Sequence, residues 1–288
     1  MAGRKGRGHG WRFVFQNMKL PLCAFAALGV LALAGSWIVR STMLRNAYEA
    51  ATALSRSCAA EERGNLNVYA TLLSFGTAAL ESRLEDGEEE ESIAAFLDTY
   101  FDRVDSVLGV GVVDPYVVLD GTILAANPWE GDAEYDYATA PWYQQAVAAK
   151  GAVVFTSVYT DAIYGRPVVT AAQSCCDGKV VMAFDILPEH LRFDTADLAE
   201  EDTFLCDSAG TIIYQKTGLN LNQGEIQRYL TGLVEKIEAG ELEENPIIRD
   251  LDGQRRGVYY TRMDNGWYSI ITVPYSKILG GLQSVLWP

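Results

Sequence analysis

The chain has 288 residues, of which 49% are hydrophobic and 21% charged, and its formal net charge is −15. The charge is unevenly distributed, because from residue 46 onward 16 basic side chains face 38 acidic ones, a balance of −22. Such a surface repels nucleic acid and anionic lipid headgroups, which excludes a nucleic-acid-binding protein.

The N-terminal segment predicts a membrane anchor. Residues 1–19 carry five basic side chains and no acid, and the uncharged run from Leu20 to Val39 ends at Arg40. About 20 apolar residues in a helix cross a ~30 Å hydrocarbon core. The positive-inside rule places residues 1–19 in the cytoplasm, a membrane helix at residues 20–40, and the rest outside the plasma membrane. A cleaved signal peptide is the alternative, but its apolar centre has only about 7–15 residues, so an uncleaved anchor is favoured.

Residues 41–107 predict a long stalk helix followed by a second helix. Apolar residues recur at helical spacing from about Thr42 to Arg83, and no proline interrupts them. A helix of this length is typical of a stalk that rises from a membrane and packs beside a sheet or a partner stalk, and we expect a homodimer through this helix. An acidic turn then leads into the second helix, from Ser92 to Val107.

Two units of similar design follow, residues 108–194 and 195–275. Each begins with a β-hairpin, written LDGTILA in the first unit and DSAGTIIY in the second. The Asp-Gly pair of the first hairpin supplies the positive φ that a tight turn needs. The repetition predicts an α+β fold with two tandem antiparallel sheets. The further predicted elements are strands at residues 166–172 and 180–186, a helix at 224–240, and strands at 257–263 and 267–273.

The segment from Tyr135 to Ile186 carries the candidate ligand site. Aromatic faces attract ammonium groups through their quadrupoles, and carboxylates supply charge and acceptors. The composition of this segment therefore predicts a cage for a small cation, with Asp185 as the direct partner of an ammonium group and Asp161 as the second acceptor. The candidate residues are Tyr135, Trp142, Tyr143, Tyr159, Asp161 and Asp185.

These residues also have structural interpretations. A Trp-Tyr pair at a helix start ordinarily belongs to the core, and Asp161 can cap the turn that leads to Gly165. Asp185 lies in the apolar strand MAFDI, where an unpaired carboxylate is costly, so ligand contact is favoured there.

The sequence predicts no catalytic, cofactor or metal site. Outside the basic tail the chain has a single histidine, His190, which makes His-centred triads and multi-histidine metal sites hard to build. The five cysteines show no zinc spacing. We expect buried free thiols, because the adjacent pair Cys175-Cys176 could form a bridge only with strain.

In this order and spacing, Trp142-Tyr143, Tyr159-Thr160-Asp161 and Asp185 resemble the double Cache extracellular sensor domains of prokaryotic receptors. The resemblance spans about residues 40–275. It implies that both sheets are PAS-like antiparallel sheets, with a membrane-distal ligand-binding unit at residues 108–194, a membrane-proximal unit at 195–275, and a connection at 276–288 towards a second membrane helix.

The resemblance also bears on the ligand. In the amino-acid-binding branch of the family an Arg two residues before the Trp grips the ligand carboxylate, and here that position is Ala140. We therefore expect an amine rather than an amino acid, unless Arg166 reaches a carboxylate from another direction. The predicted function is the ligand-sensing module of a membrane signal-transduction receptor, with its output, by analogy a kinase, cyclase or chemotaxis segment, expected outside this chain. A membrane-anchored structural or interaction protein without a small-molecule ligand is the alternative.

Overall fold

The computed structural model describes residues 9–132, 134–191, 202–242, 247–249 and 253–278. The chain divides into two compact units, one formed by residues 1–50 with 275–288 and the other by residues 51–274. Helix α1, His9–Glu85, is continuous and contributes residues to both units. Helix α2, Glu90–Leu108, follows it after a short turn.

In the first unit, α1 contains the predicted membrane-spanning run. The most apolar 18-residue window of the described helix has a mean hydropathy of 2.2, and no part of it is buried within the protein. Large apolar side chains exposed on every side of a helix are unfavourable in water and stable in hydrocarbon. This part of α1 is therefore long and apolar enough to cross a membrane. The exposed side chains include Leu22, Phe25, Leu28, Leu31, Leu33, Trp37 and Ile38.

The first sheet lies in the second unit and has β6 at its centre. Its strands run antiparallel in the order β2-β1-β6-β5-β3, and β4 pairs with the start of β5. The predicted hairpin turn is confirmed, because Asp120 and Gly121 both have positive φ, 47° and 82°. The elements are β1 Val113–Leu119, β2 Thr122–Ala125, α3 Pro141–Ala148, β3 Val154–Phe155, β4 Tyr159–Thr160, β5 Pro167–Cys175 and β6 Val180–Ile186.

The second sheet repeats this arrangement. Its order is β8-β7-β11-β10-β9, which is the order of the first sheet once β4 is set aside. The predicted α+β fold with two tandem antiparallel sheets is therefore confirmed. The short strands β3, β4 and β9 were not predicted, because two or three residues carry no periodic pattern. The elements are β7 Asp202–Cys206, β8 Ile212–Lys216, α4 Gln223–Glu238, β9 Ile247–Arg249, β10 Arg255–Arg262 and β11 Tyr268–Pro274.

Helix α1 shares one apolar core with both sheets. This cluster contains Leu73 of α1, Phe184 of the first sheet and Ile271 of the second. The rings of Phe155 in β3 and Trp267, the residue before β11, meet edge to face with centroids 6.2 Å apart. The five cysteines are free thiols, as expected, and three of them are buried: Cys58, Cys175 and Cys206.

A buried ion pair links two interior strands of the second sheet, β7 and β10. Arg256 of β10 donates to Asp202 at the start of β7, and the two residues are only 5% and 6% exposed. The other carboxylate oxygen, Oδ1, accepts hydrogen bonds from the Thr217 hydroxyl at 2.7 Å and the Gly218 amide at 2.8 Å. Asp202 therefore holds together two strands and the loop after β8.

We expect Asp202→Ala to lower the free energy of unfolding by about 3–5 kcal/mol, because it leaves the buried Arg256 charge without this carboxylate. Asp264→Ala is the matched control, since its 3.2 Å pair with Arg63 is solvent-exposed and worth less than about 1 kcal/mol. Urea unfolding of the purified chain measures both changes. Equal effects of the two substitutions would contradict the role assigned to the buried pair.

Candidate functional site

The alternation of β1 separates the first sheet into two faces. Val113 and Val117 contribute to the core formed with α1 and α2, whereas Tyr116 belongs to a smaller cluster on the opposite face with Trp142 of α3. Successive side chains of a strand point to opposite faces, so Asp114 lies on the same face as Tyr116. We call this second face the site face.

Strand register places three polar residues side by side on the site face. Asp185 of β6 is directly opposite Asp114 of β1 and Thr170 of β5. Directly opposed residues of antiparallel strands have Cβ atoms about 4.5–5.5 Å apart and point to the same face. The three side chains therefore form a row across the three central strands.

Asp185 is held by two hydroxyl groups. Its Oδ1 accepts hydrogen bonds from the Tyr116 hydroxyl at 2.9 Å and the Thr170 hydroxyl at 2.6 Å. The hydroxyl oxygens of Tyr159 and Thr170 lie 2.6 Å apart. Because the single Thr170 proton is directed at Asp185, Tyr159 is the donor in this second contact. A chain of hydrogen bonds thus runs from Tyr159 through Thr170 to the carboxylate.

The surroundings of Asp185 disfavour its ionised form in the absence of a cation. The pKa of this carboxyl is raised to about 7, mainly by burial; the Thr170 and Tyr116 hydrogen bonds lower it, and the neighbouring Asp114 and Asp161 carboxylates raise it. Burial also raises the pKa of Asp114. A cation placed among these acids relieves both the lost hydration and the mutual repulsion of the carboxylates.

Asp161 caps a turn, as its structural interpretation anticipated. Its Oδ1 accepts from the Ile163 amide at 2.9 Å and its Oδ2 from the Tyr164 amide at 2.7 Å. The residue is 7% exposed, and it lines the same cavities as Asp185. Each carboxylate oxygen has two acceptor positions, so capping the turn leaves Asp161 able to accept from a ligand as well.

Two cavities meet at Asp161 and Asp185. The smaller cavity, of about 40 Å³, is mainly apolar and aromatic. The larger, of about 180 Å³, is mainly polar. The site therefore has an aromatic side and a polar side, with the two acids between them. Aromatic residues of the small cavity are Tyr116, Trp129, Tyr135, Trp142 and Tyr159. Polar residues of the large cavity, besides the two shared acids, are Asp114, Asn127, Tyr164 and Arg166.

The predicted aromatic residues differ in their positions. Trp142 is 1% exposed and packs edge to face on Tyr116 with centroids 5.1 Å apart, so it belongs to the core and also lines the small cavity. Its indole N–H bonds to the Tyr135 hydroxyl, which fixes Tyr135 at the rim. Tyr143 does not line either cavity; its ring contacts those of Tyr137 and Trp142. The structure therefore brings together five of the six predicted residues and leaves Tyr143 beside them.

Sequence reasoning missed several residues of the site. Tyr116 and Asp114 alternate with apolar residues along β1, and Thr170 interrupts the apolar run of β5, so a period-two pattern of polar side chains was available as a signal. Trp129 and Asp132 lie after β2 and line the small cavity. Nothing in the local sequence indicates that this loop returns to the sheet.

We expect Asp185→Asn to stabilise the unliganded protein at pH 8. The folded-state pKa of about 7 exceeds the ordinary value of 3.8, so this carboxyl contributes stability below about pH 4 and loses that contribution as the pH rises through 7. The neutral amide avoids the loss, which amounts to about 4 kcal/mol at pH 8. Thermal unfolding from pH 4 to pH 8 measures the change, with the exposed Asp102→Asn as control. A gain that persists undiminished at pH 4 would contradict a burial-driven pKa.

The family comparison matches the first sheet. Residues 77–186 match the model described as "Methyl-accepting chemotaxis protein-like, first PDC sensor domain". The methyl-accepting chemotaxis protein McpB of Bacillus subtilis is 32% identical over 218 residues, which cover 74% of this chain and 31% of McpB. The protein TlpB of the same organism is 49% identical over 45 residues, 16% of this chain and 7% of TlpB. The chain thus spans less than a third of the length of the curated relatives it matches.

Solved structures share the fold. The ligand-binding domain of the Campylobacter jejuni chemoreceptor Tlp3, in complex with L-valine, is 17% identical with a TM-score of 0.60, covering 83% of this chain and 97% of that one. The corresponding domain of the Pseudomonas fluorescens chemoreceptor CtaA, in complex with L-isoleucine, is 15% identical with a TM-score of 0.62, covering 84% and 98%. The predicted resemblance to double Cache sensor domains is therefore confirmed.

Proposed function

We propose that this chain is the extracytoplasmic ligand-sensing part of a membrane receptor, and that its membrane-distal unit binds a small molecule through an ammonium group. The observation that carries the proposal is Asp185, a largely buried carboxylate at the junction of an aromatic and a polar cavity, whose hydrogen-bond partners among the described residues are hydroxyl groups and not basic side chains. The similarity to chemoreceptor sensor domains supports the same function.

The chemistry of the site suits an ammonium ion. Three N–H donors need acceptors once water is removed, and Asp185 and Asp161 offer carboxylate oxygens at the junction of the cavities. The rings of Tyr159 and Trp142 add cation–π attraction, about 0.5–2 kcal/mol each according to their desolvation. A neutral molecule of the same shape gains neither contribution and leaves the acids repelling each other.

The choice between an amine and an amino acid depends on Arg166. Ala140, the position where the double Cache resemblance implies an Arg in amino-acid-binding members, is buried at the start of α3 and offers no cationic group. Arg166 lines the polar cavity together with Asp185, and its guanidinium lies 4.7 Å from the Tyr164 ring centroid. An amino acid with its ammonium at Asp185 therefore has a carboxylate partner in Arg166, and an amine needs none.

The same proposal assigns the membrane arrangement. The basic residues 1–19 lie in the cytoplasm, the apolar run of α1 crosses the plasma membrane once, and the two sheets lie outside. Two copies pair through α1, as expected for a stalk helix. Signal output belongs to a part of the receptor beyond the sensor, consistent with the much greater length of McpB.

Ligand binding is expected to depend on the charge of Asp185. The purified full chain is first screened by thermal shift against primary amines and the common amino acids, since a ligand at a hundred times its Kd adds about 2.7 kcal/mol of stability. Asp185→Asn should lower the affinity for each hit by at least about 100-fold, because it removes the buried partner of the cation. Calorimetry measures the loss, with Asp102→Asn as control.

Affinity of the unsubstituted chain should also fall as the pH drops below about 7, where Asp185 takes up a proton. Unchanged affinity in Asp185→Asn would refute the assignment of the site. No thermal shift with any compound of the screen would favour the alternative, a membrane-anchored structural protein.

Substitution of Arg166 should separate the two ligand classes. Arg166→Gln removes the one guanidinium that lines the polar cavity of the described structure, so the affinity for amino acids should fall about 10–100-fold while the affinity for amines stays the same. Arg103→Gln, on the exposed side of α2, is the matched control. Calorimetry with an amino acid and its decarboxylated amine gives the comparison. An equal loss for both would contradict a carboxylate contact.

A further inference from the structure

A second cluster of chemically active side chains lies away from the Asp185 site, where the turn between β5 and β6 meets α1. Glu81 of α1, Cys175 and Cys176 each place one ligand atom within 4.8 Å of the other two. We call these three residues the thiol cluster. The thiol cluster plays no part in the ligand binding proposed above. The proposal for this cluster does not depend on that ligand binding.

The turn geometry accounts for both thiols facing α1. Side chains of consecutive residues in an extended strand point to opposite faces, which would separate the two sulfur atoms. Cys176 and Asp177 instead have positive φ, 52° and 56°, a left-handed conformation that is uncommon in residues other than glycine. This bend ends the alternation, and the two Sγ atoms come to lie near one carboxylate. Strained backbone of this kind clusters at functional sites.

Glu81 is already oriented towards the turn. Its Oε1 accepts a hydrogen bond from the backbone amide of Cys176 at 3.1 Å, across 95 residues of sequence. This contact fixes the carboxylate relative to the thiols before any ion is present. Preformed ligand geometry lowers the cost of ordering a site on binding.

The thiol cluster opens onto a cavity with a volume of about 670 Å³. Cys175 and Cys176 both line it, together with Glu81, so an ion can reach all three ligand atoms. Two further charged side chains line the cavity, Lys150 and Asp177, and their opposite charges offset each other. The Glu81 carboxylate therefore gives the cavity lining a net negative charge.

We propose that the thiol cluster binds a borderline or soft divalent metal ion of the zinc class. Two thiolates and one carboxylate are ligands that Zn²⁺ and Cd²⁺ accept, and thiolate ligands discriminate against Mg²⁺ and Ca²⁺. A tetrahedral ion bound by three protein ligands keeps its fourth position for water from the cavity. Each coordinating thiol releases its proton to solvent as the metal–sulfur bond forms. The bound ion then ties the β5–β6 turn to α1 through Glu81.

The experiment uses Co²⁺ as a spectroscopic probe of the full chain, purified with a removable tag and kept reduced, with its free thiols counted before titration. Thiolate-to-cobalt charge transfer should appear in the near ultraviolet and saturate at one Co²⁺ per chain, and Zn²⁺ should remove it by displacement. Cys175→Ser and Cys176→Ser should each abolish the band. Glu81→Gln should lower the Co²⁺ affinity at least about 10-fold, because it replaces a carboxylate ligand by a neutral amide.

Matched controls separate a metal site from a general loss of structure. Cys206→Ser removes a buried thiol of the second sheet, and Glu85→Gln changes an exposed acid one helical turn beyond Glu81; both should keep the band. Glu81→Gln lies on a helix surface, and an unchanged melting temperature shows that its effect is on the ion. Absence of the charge-transfer band in the reduced chain would overturn the proposal. Survival of the band in the double variant Cys175→Ser/Cys176→Ser would overturn it as well.

Discussion

The partial desolvation of Asp185 at the centre of the first sheet is the constraint on which the proposed site depends. A carboxylate removed from water without a cationic partner is costly, and the two hydroxyl groups that bind it offset only part of that cost. The pKa of about 7 expresses this balance. A positively charged ligand offsets the hydration that the Asp185 carboxylate loses on burial. The burial of Asp185 therefore destabilises the unliganded fold and favours binding of a cation.

Strand register explains why these side chains converge. Asp114, Asp185 and Thr170 come from three strands that are distant in sequence, yet they oppose one another across β1, β6 and β5. A shift of one residue in either pairing would turn β6 over and send Asp185 into the apolar core. The core residues Val169, Phe184 and Ile186, packed on the opposite face, therefore fix the register that the site requires.

Helix α1 connects several features of the second unit. Its apolar side chains enter the core of both sheets, and Glu81 reaches the β5–β6 turn. That turn closes the hairpin of the two strands that carry Thr170 and Asp185. The Asp185 site and the thiol cluster thus lie near opposite ends of one β-hairpin, on opposite faces of the sheet. A ligand at the Asp185 site and an ion at the thiol cluster would each restrict the motion of the same two strands, β5 and β6.

The sequence by itself determined the elements whose signal is local: the apolar run of α1, the Asp-Gly turn at Asp120, and the repetition that gives two sheets of equal strand order. It also made Asp185 a candidate site residue, because this residue is the one acid in an otherwise apolar strand. Only the tertiary structure decided which residues contact Asp185 and which residue Glu81 contacts. Tyr116, Thr170 and Trp129 reach Asp185 or its cavity through strand pairing and loop closure, and Glu81 reaches Cys176 across 95 residues. Spacing along a chain records neighbours within one element, whereas contacts between elements depend on register and packing, which no single segment encodes.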